Sequence, residues 1–294
     1  MTKYVVIWRP LPSKGGLGSQ LLSKITALSY ADKYNYEYLH VRWDNQIHRI
    51  GHNYYDDNLF EENIENYFNL GFNKVLYCDV SNNIQKENII VKNKFNEVTD
   101  NPNIFLTEDF IKNLQNNFYA NHNRYIKNNN KNIVNIHIRR GDACLIGKYH
   151  KNNNYFFHPD HGIINNDNCI LSESCIERGD GHEGRIISNE YYINIMNKII
   201  KLYSNVEFNI ISQGKIDDFQ DINKSFPDFK INFYLDEDIL KTFERLYKCD
   251  ILVLGKSALS YCAGLYCEHI VITNCIVYNW WGDKVPNLPN WITI

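Results

Sequence analysis

No stretch of the chain approaches the roughly 18 consecutive apolar residues that mark a membrane helix, so no membrane span is expected. The opening residues, MTKYVVIWRP, lack the basic stretch, long apolar run and small-residue cleavage site of a secretory signal. No two of the 8 cysteines form a C-x-x-C pair. Reduced thiols in a cytoplasmic setting are therefore the expectation. Cys249, Cys262, Cys267 and Cys275 lie in apolar surroundings and read as small buried hydrophobes. Neither sign of charge is in excess: 31 basic and 34 acidic residues leave a net charge of −3. That balance argues against a nucleic-acid partner while allowing a local basic pocket. Alanine is scarce, with 6 residues against 42 asparagines. Such a bias reflects an AT-rich genome, and it makes asparagine runs a sign of exposed loops and little else. No internal repeat is found.

What is present is ample for a folded core. Hydrophobic residues are 44% and aromatics 14%, with 21 tyrosines. That composition argues against wholesale disorder. A length of 294 residues suggests two domains at roughly 150 residues each. A chain of this size buries about three quarters of its unfolded surface without staples.

Residues 3–8 read as a buried strand that runs into the loop PLPSKGGLGSQ. Residues 19–34 then have helical spacing, with Leu21, Leu22, Ile25, Leu28 and Ala31 on one face. Residues 36–41 form the next strand. Strand, glycine loop, helix, strand opens a nucleotide-binding α/β unit. Residues 44–130 are less patterned: short strands are expected near 74–80 and 88–91, and a helix over 107–126. Asn128, Asn129, Asn130 and Asn132 make a polar break, which divides the chain into domains 1–130 and 131–294.

Past the break, residues 132–138 (NIVNIHI) are a β-branched strand ending on Arg139-Arg140-Gly141-Asp142. Residues 144–184 form a long polar segment without strong periodicity, and such segments are usually functional or mobile. Helix 188–203, strand 206–212, helix 217–225, strand 230–235, helix 236–248, strand 250–254, helix 257–266 and strand 269–273 complete a second α/β alternation.

Three motifs can carry chemistry. Gly15-Gly16-Leu17-Gly18-Ser19-Gln20 lies between strand and helix. It is either a tight turn or a place where the backbone approaches a phosphate at a helix N-terminus. Its spacing is not G-x-G-x-x-G, so a nicotinamide oxidoreductase is a distant alternative. His137-Ile138-Arg139-Arg140-Gly141-Asp142 ends a strand at the edge where open α/β sheets bind ligands. Arginine offers a planar pair of donors to phosphate oxygens, and Asp142 can pair with one arginine and fix it. His137 shares its side of the strand with Arg139. The competing reading is a structural Arg–Asp pair. Lys256-Ser257-Ala258-Leu259-Ser260-Tyr261 follows a strand; Ser257 is either a helix cap or part of a second phosphate site. His150, His158, His161, Cys169, Cys175 and His182 could ligate zinc by type, but their spacing matches no zinc template. A Cys169–Cys175 disulfide is the other reading of the cluster; no special role, and so no metal site, is the expectation.

Together the three motifs resemble the fucosyltransferase superfamily with the H-x-R-R-G-D signature. The resemblance implies an α/β GT-B fold, two Rossmann-like domains facing a central cleft. It implies a GDP-fucose donor held mainly by domain 131–294, a glycan acceptor on the side of domain 1–130, and inversion at the anomeric carbon without a metal or other cofactor. Arg139 would bind the diphosphate with Arg140 supporting it. His137 would contact the guanine or ribose. Gly16, Leu17, Gly18, Ser257 and Ala258 would complete the phosphate cradle with backbone N–H groups. Two departures bear on donor and base. Where family members place an aspartate before the last motif, this chain has Thr242, with Asp238 or Glu244 as substitutes; GDP-mannose or a UDP-sugar stays open as donor. Where the alpha-1,6 branch has a catalytic glutamate there is no carboxylate near Gly147. The base then falls to Asp44, or to Asp160, Glu177, Asp180 or Glu183 in the long segment. Asp142 is expected at the reaction centre beside Arg139. A module that binds nucleotide sugars or glycans without catalysis is the remaining alternative.

Overall fold

The computed structural model describes residues 2–7, 16–41, 43, 57–71, 75–76, 84–92, 95–127, 130–140, 187–273 and 285–294. The chain divides into two compact units, Met1–Arg124 with Tyr278–Trp291, and Tyr125–Val277 with Ile292–Ile294. Among the described residues no helix is long and apolar enough to cross a membrane.

The first unit is built on four parallel strands: β1 (Tyr4–Ile7), β2 (Glu37–His40), β3 (Val75–Leu76) and β4 (Ile89–Lys92), in the order β3-β2-β1-β4. Helix α1 (Leu17–Tyr34) connects β1 to β2. It is buried beyond the expected stripe, because Ser23, Lys24, Thr26 and Ser29 are covered along with Leu21, Leu22 and Ile25. Ser23, Thr26 and Ser29 satisfy their hydroxyls on the carbonyls of Ser19, Ser23 and Thr26 one turn back. That is how a helix with so many small polar residues lies against a sheet without orphaned groups. Asn35 ends α1 in the left-handed region, φ 53°. Asparagine tolerates that conformation better than most residues, so here it acts as a helix stop.

Helix α2 (Asp57–Phe68) was not legible in the sequence. Its segment, DNLFEENIENYF, is mostly polar, and Ile64 and Phe68 are the residues whose described side chains enter the core. Two short helices follow, α3 (Asn96–Asp100) and α4 (Pro102–Phe105). Helix α5 covers Glu108–Tyr119, ending well before the expected 126. Thr107 caps it by accepting from the Phe110 N–H. Beyond Tyr119 the pattern of buried residues stops and Ile126 is exposed, so nothing extends the helix.

The second unit holds β5 (Asn132–Ile138), β6 (Val206–Ser212), β7 (Lys230–Leu235), β8 (Ile251–Val253) and β9 (Ile270–Thr273). These five are parallel and ordered β9-β8-β5-β6-β7, with β10 (Trp291–Thr293) beyond β9. The first strand is central. The chain steps outward through β6 and β7, then returns to the other side of β5 for β8 and β9. The reversal leaves a topological switch point between the ends of β5 and β8. Helices α6 (Asn189–Leu202), α7 (Gln220–Ser225), α8 (Ile239–Tyr247) and α9 (Ala258–Tyr266) make the crossovers. Val134, Ile136, Phe208, Ile210, Met196, Phe219 and Val253 lie in one apolar core.

One row of that sheet is polar. Asn135, Asn209 and Asn232 are in register on β5, β6 and β7. The Asn209 amide donates to Asn135 Oδ1 at 2.7 Å, and that of Asn232 to Asn209 Oδ1 at 2.8 Å. Asn135 in turn donates to the Arg245 and Lys248 carbonyls at the end of α8. Each amide thus satisfies its neighbour, and the last one donates to carbonyls at a helix C-terminus, which intrahelical bonds leave open. The genomic excess of asparagine has here been put to structural use in a row that runs from the half-buried Asn232 and Asn209 to the buried Asn135.

Candidate functional site: the end of strands β5 and β8

The described site residues of the second unit converge on the switch point. β5 delivers His137 to the interior, Arg139 to its end and Arg140 into the adjoining core. β8 turns through Gly255 and Lys256 into Ser257, which caps α9. The Ser257 hydroxyl accepts from the Leu259 N–H at 3.2 Å. Arg139 Nη1 donates to the same oxygen at 3.4 Å, a long hydrogen bond. Ser260 Oγ ties the turn together by donating to the Gly255 and Ser257 carbonyls. Ser257 is therefore a cap, and its helix also presents a positive dipole end beside a guanidinium. Ala258 is the first residue of that helix, where backbone N–H groups precede the intrahelical bonds.

The two strand ends touch at Gly255. A Cβ there would lie 2.4 Å from the His137 carbonyl oxygen and 2.7 Å from its Nδ1. Glycine is required by space, because the nearest obstruction is backbone. His137 is 8% exposed, and its Nδ1 is buried without a hydrogen-bond partner. Burial pushes its pKa down to about 3, with the charges of Arg139 and Arg140 adding to the effect. The imidazole is neutral at physiological pH and can accept or donate one hydrogen bond according to its tautomer.

The adjacent arginines have different surroundings. Arg139 is half-buried at the switch point. Arg140 is 3% exposed. Its Nη1 donates to the Arg139 carbonyl at 2.9 Å and its Nη2 to Asn189 Oδ1 at 2.6 Å, while its guanidinium lies 5.9 Å from the Phe219 ring centre. The sequence offered no signal for Asn189, one asparagine among 42. Gly255 was visible as a glycine leaving a strand, but its contact with His137 is tertiary.

The neighbouring strand ends are acidic yet occupied by backbone. Asp236 accepts from the Gly214 N–H, and Asp238 caps α8 by accepting from Leu240 and Lys241. Glu237 pairs with Arg245 through both oxygens, at 2.5 and 2.9 Å, and Arg245 lies 3.6 Å over Tyr234. Glu244 pairs with Lys248 at 2.5 Å. Thr242 Oγ1 donates to the Glu237 carbonyl. Among the described residues no group of three or more His, Cys, Asp or Glu could hold a metal ion.

In the first unit Gly16 precedes α1, with Leu17 and Gly18 as its first two residues. Its carbonyl accepts from the Ser19 N–H at 2.9 Å and the Gln20 N–H at 3.2 Å. The helix therefore starts at Gly16; Gly15 and the loop before it lie outside the described residues. Beside the end of β2 is a buried polar cluster that the sequence did not reveal. The Lys24 ammonium donates to the Val41 carbonyl and lies 4.9 Å over the Trp43 ring. Burial pushes Lys24 down to about 8, with Glu65 opposing. Burial would raise Glu65, but a 2.8 Å hydrogen bond to His40 and the charges of His40 and Lys24 hold it below the usual carboxylate range. Glu65 also accepts from the Trp43 N–H at 2.8 Å, fixing the backbone one residue before Asp44.

Asp44 and Asp142 lie outside the described residues, as do Gly141, the segment 144–184 with its histidines and cysteines, and Cys275. Cys249, Cys262 and Cys267 are buried free thiols, as their apolar neighbours implied.

No family model and no curated protein matches the chain. Among solved structures it is similar to POFUT1 in complex with GDP-fucose, at 12% identity and TM-score 0.42, over 91% of this chain and 94% of that one. POFUT1 in its apo form and in complex with GDP are similar at 12% identity and TM-score 0.41, over 91% of this chain and 95% of theirs. The residues at the strand ends, not this likeness, carry the functional reading.

Proposed function

We propose that the chain is an inverting glycosyltransferase of GT-B type that moves fucose from GDP-fucose to a glycan hydroxyl. The observation that carries the reading is the approach of Arg139 to the capped N-terminus of α9 across a topological switch point. A guanidinium and a helix N-terminus converging on one place form an anion site suited to a diphosphate. Fucose and guanine come from the motif resemblance alone.

In this reading Arg139 and the first N–H groups of α9 hold the diphosphate and stabilise the charge that develops as GDP leaves. Arg139 takes the part a metal ion would otherwise play. The neutral His137 gives a ring nitrogen to the nucleoside without adding charge. By the resemblance the turn Gly16-Leu17-Gly18 adds its backbone to the cradle, and the first unit receives the acceptor. The acceptor proton goes to a carboxylate, Asp44 or one of Asp160, Glu177, Asp180 and Glu183, with Asp142 beside Arg139.

A second reading, a different nucleotide-sugar donor, is favoured by one observation. Asp238 and Glu244, the available substitutes for a base-reading carboxylate, are engaged by α8 itself and by Lys248. Thermal melts with GDP, UDP, GDP-fucose, GDP-mannose and UDP-sugars separate the two. A true ligand at 100 times its dissociation constant adds about 2.7 kcal/mol of stability. Greater stabilisation by GDP-fucose than by GDP-mannose or uridine nucleotides supports the first reading, and greater stabilisation by GDP-mannose or a UDP-sugar the second. Full turnover by Arg139→Ala would defeat both.

A further inference from the structure

Arg140 is too buried to serve as a second ligand arm, and its donors show what it does instead. A guanidinium withdrawn from water must be paired on several sides. One partner is the Arg139 carbonyl, so Arg140 grips the backbone of the residue that aims at the phosphate site. The Ile138 carbonyl is held likewise by Ser212 Oγ at 2.6 Å. A second partner, Asn189, is the first residue of α6. Its amide orientation is dictated from both ends. Oδ1 faces a cation, while Nδ2 donates to the Asp218 carbonyl at 2.7 Å and to Asp221 Oδ1 at 2.8 Å. Only a side chain with an acceptor on one side and two donors on the other meets all three demands.

We propose that Asn189 is a positioning residue for Arg139: its Oδ1 holds the Arg140 guanidinium, and Arg140 fixes the strand-end backbone from which Arg139 reaches the diphosphate. The proposal rests on the reading of Arg139 as the diphosphate arm. Misplacing a group that acts by position by about 1 Å is enough to lower its effect by about 100-fold.

Calorimetric titration of GDP into the full chain, alongside melts without ligand, tests it in five proteins. Arg139→Ala reports on the functional reading and is expected to weaken GDP binding by about 100-fold or more. Asn189→Ala is expected to weaken it by about 10-fold or more, the loss of a hydrogen bond to a charged group. Asn189→Asp keeps an acceptor toward Arg140 but faces the Asp221 carboxylate. It should bind GDP within about 3-fold of the original while melting no higher than Asn189→Ala. A merely structural asparagine would make affinity follow stability instead. Arg140→Lys retains the charge without the fork and is expected to weaken binding by about 10-fold, a check that stands if Asn189→Ala fails to fold. If Arg139→Ala fails to bind while Asn189→Ala or Arg140→Lys binds normally, the positioning role is wrong and the functional reading survives. Equal weakness of Asn189→Asp and Asn189→Ala also overturns the role. If the original chain binds no GDP, or Arg139→Ala binds it unchanged, the functional reading falls and the proposal with it.

Discussion

Neutral His137, near the charges of two arginines and against Gly255, makes folding sensitive to acid. Its pKa in the folded chain is about 3. An unfolded histidine titrates near 6.5. Between these values the unfolded state binds a proton that the folded state does not. Stability is therefore fully present above about pH 6.5 and is lost as pH falls toward 3, by up to about 1.4 kcal/mol per pH unit from this group. Urea unfolding at pH 7 and pH 5 is expected to show that loss. A His137→Asn variant should show a smaller one, and an identical slope in the variant would refute the assignment. Gly255→Ala puts a methyl group against the His137 carbonyl. Overpacking of this kind destabilises by about 1–3 kcal/mol, read as a lower denaturation midpoint. Of these residues the sequence marked His137, Arg139, Arg140 and Ser257, because strand-end arginines and a post-strand serine are chemically conspicuous. It could not mark Asn189 or Gly255. Their roles depend on what stands opposite them, and neither an asparagine in an asparagine-rich chain nor a glycine after a strand advertises a partner.

The elements show a similar division. β5 at 132–138, β6 at 206–212 and β7 at 230–235 have the bounds that their β-branched runs imply. Helices α6 and α9 begin one residue after Ser188 and Ser257, the residues expected at their N-caps. Helix α2 went unread because its apolar positions are too few to set a period. Residues 217–225 divide into a 3-10 turn, Ile216–Phe219, and α7, the former closed by Lys215 and Asp218. Two element-scale substitutions follow. Ser257→Ala removes the α9 cap and is expected to lower stability by about 1 kcal/mol. The same change takes a partner from Arg139, so GDP affinity should fall with it; an unchanged affinity would separate the cap from the site. Asn135→Leu breaks the asparagine row and strands the Asn209 amide together with two α8 carbonyls. Leaving buried polar groups unpaired costs about 1–3 kcal/mol each, so chemical denaturation should show one of the larger losses in the unit. A neutral result would mean that the row contributes nothing.

For the whole molecule, composition and periodicity were enough to read two α/β units and to place the arginine pair at the end of a strand in the second. The return of residues 278–291 to the first unit was not readable, since the tail has no pattern that names its neighbour. A net charge of −3 spread over 31 basic and 34 acidic residues conceals a local cation in the second unit, Arg139 at the mouth of the switch point and Arg140 behind it. That distribution suits one diphosphate and not a polyanion. The most direct test is a crystal structure of the chain with GDP. The diphosphate is predicted between the Arg139 guanidinium and the N-terminus of the Ala258–Tyr266 helix, with Arg140 still on Asn189. Density for GDP elsewhere in the second unit, or an Arg139 turned away from the phosphates, would contradict the account.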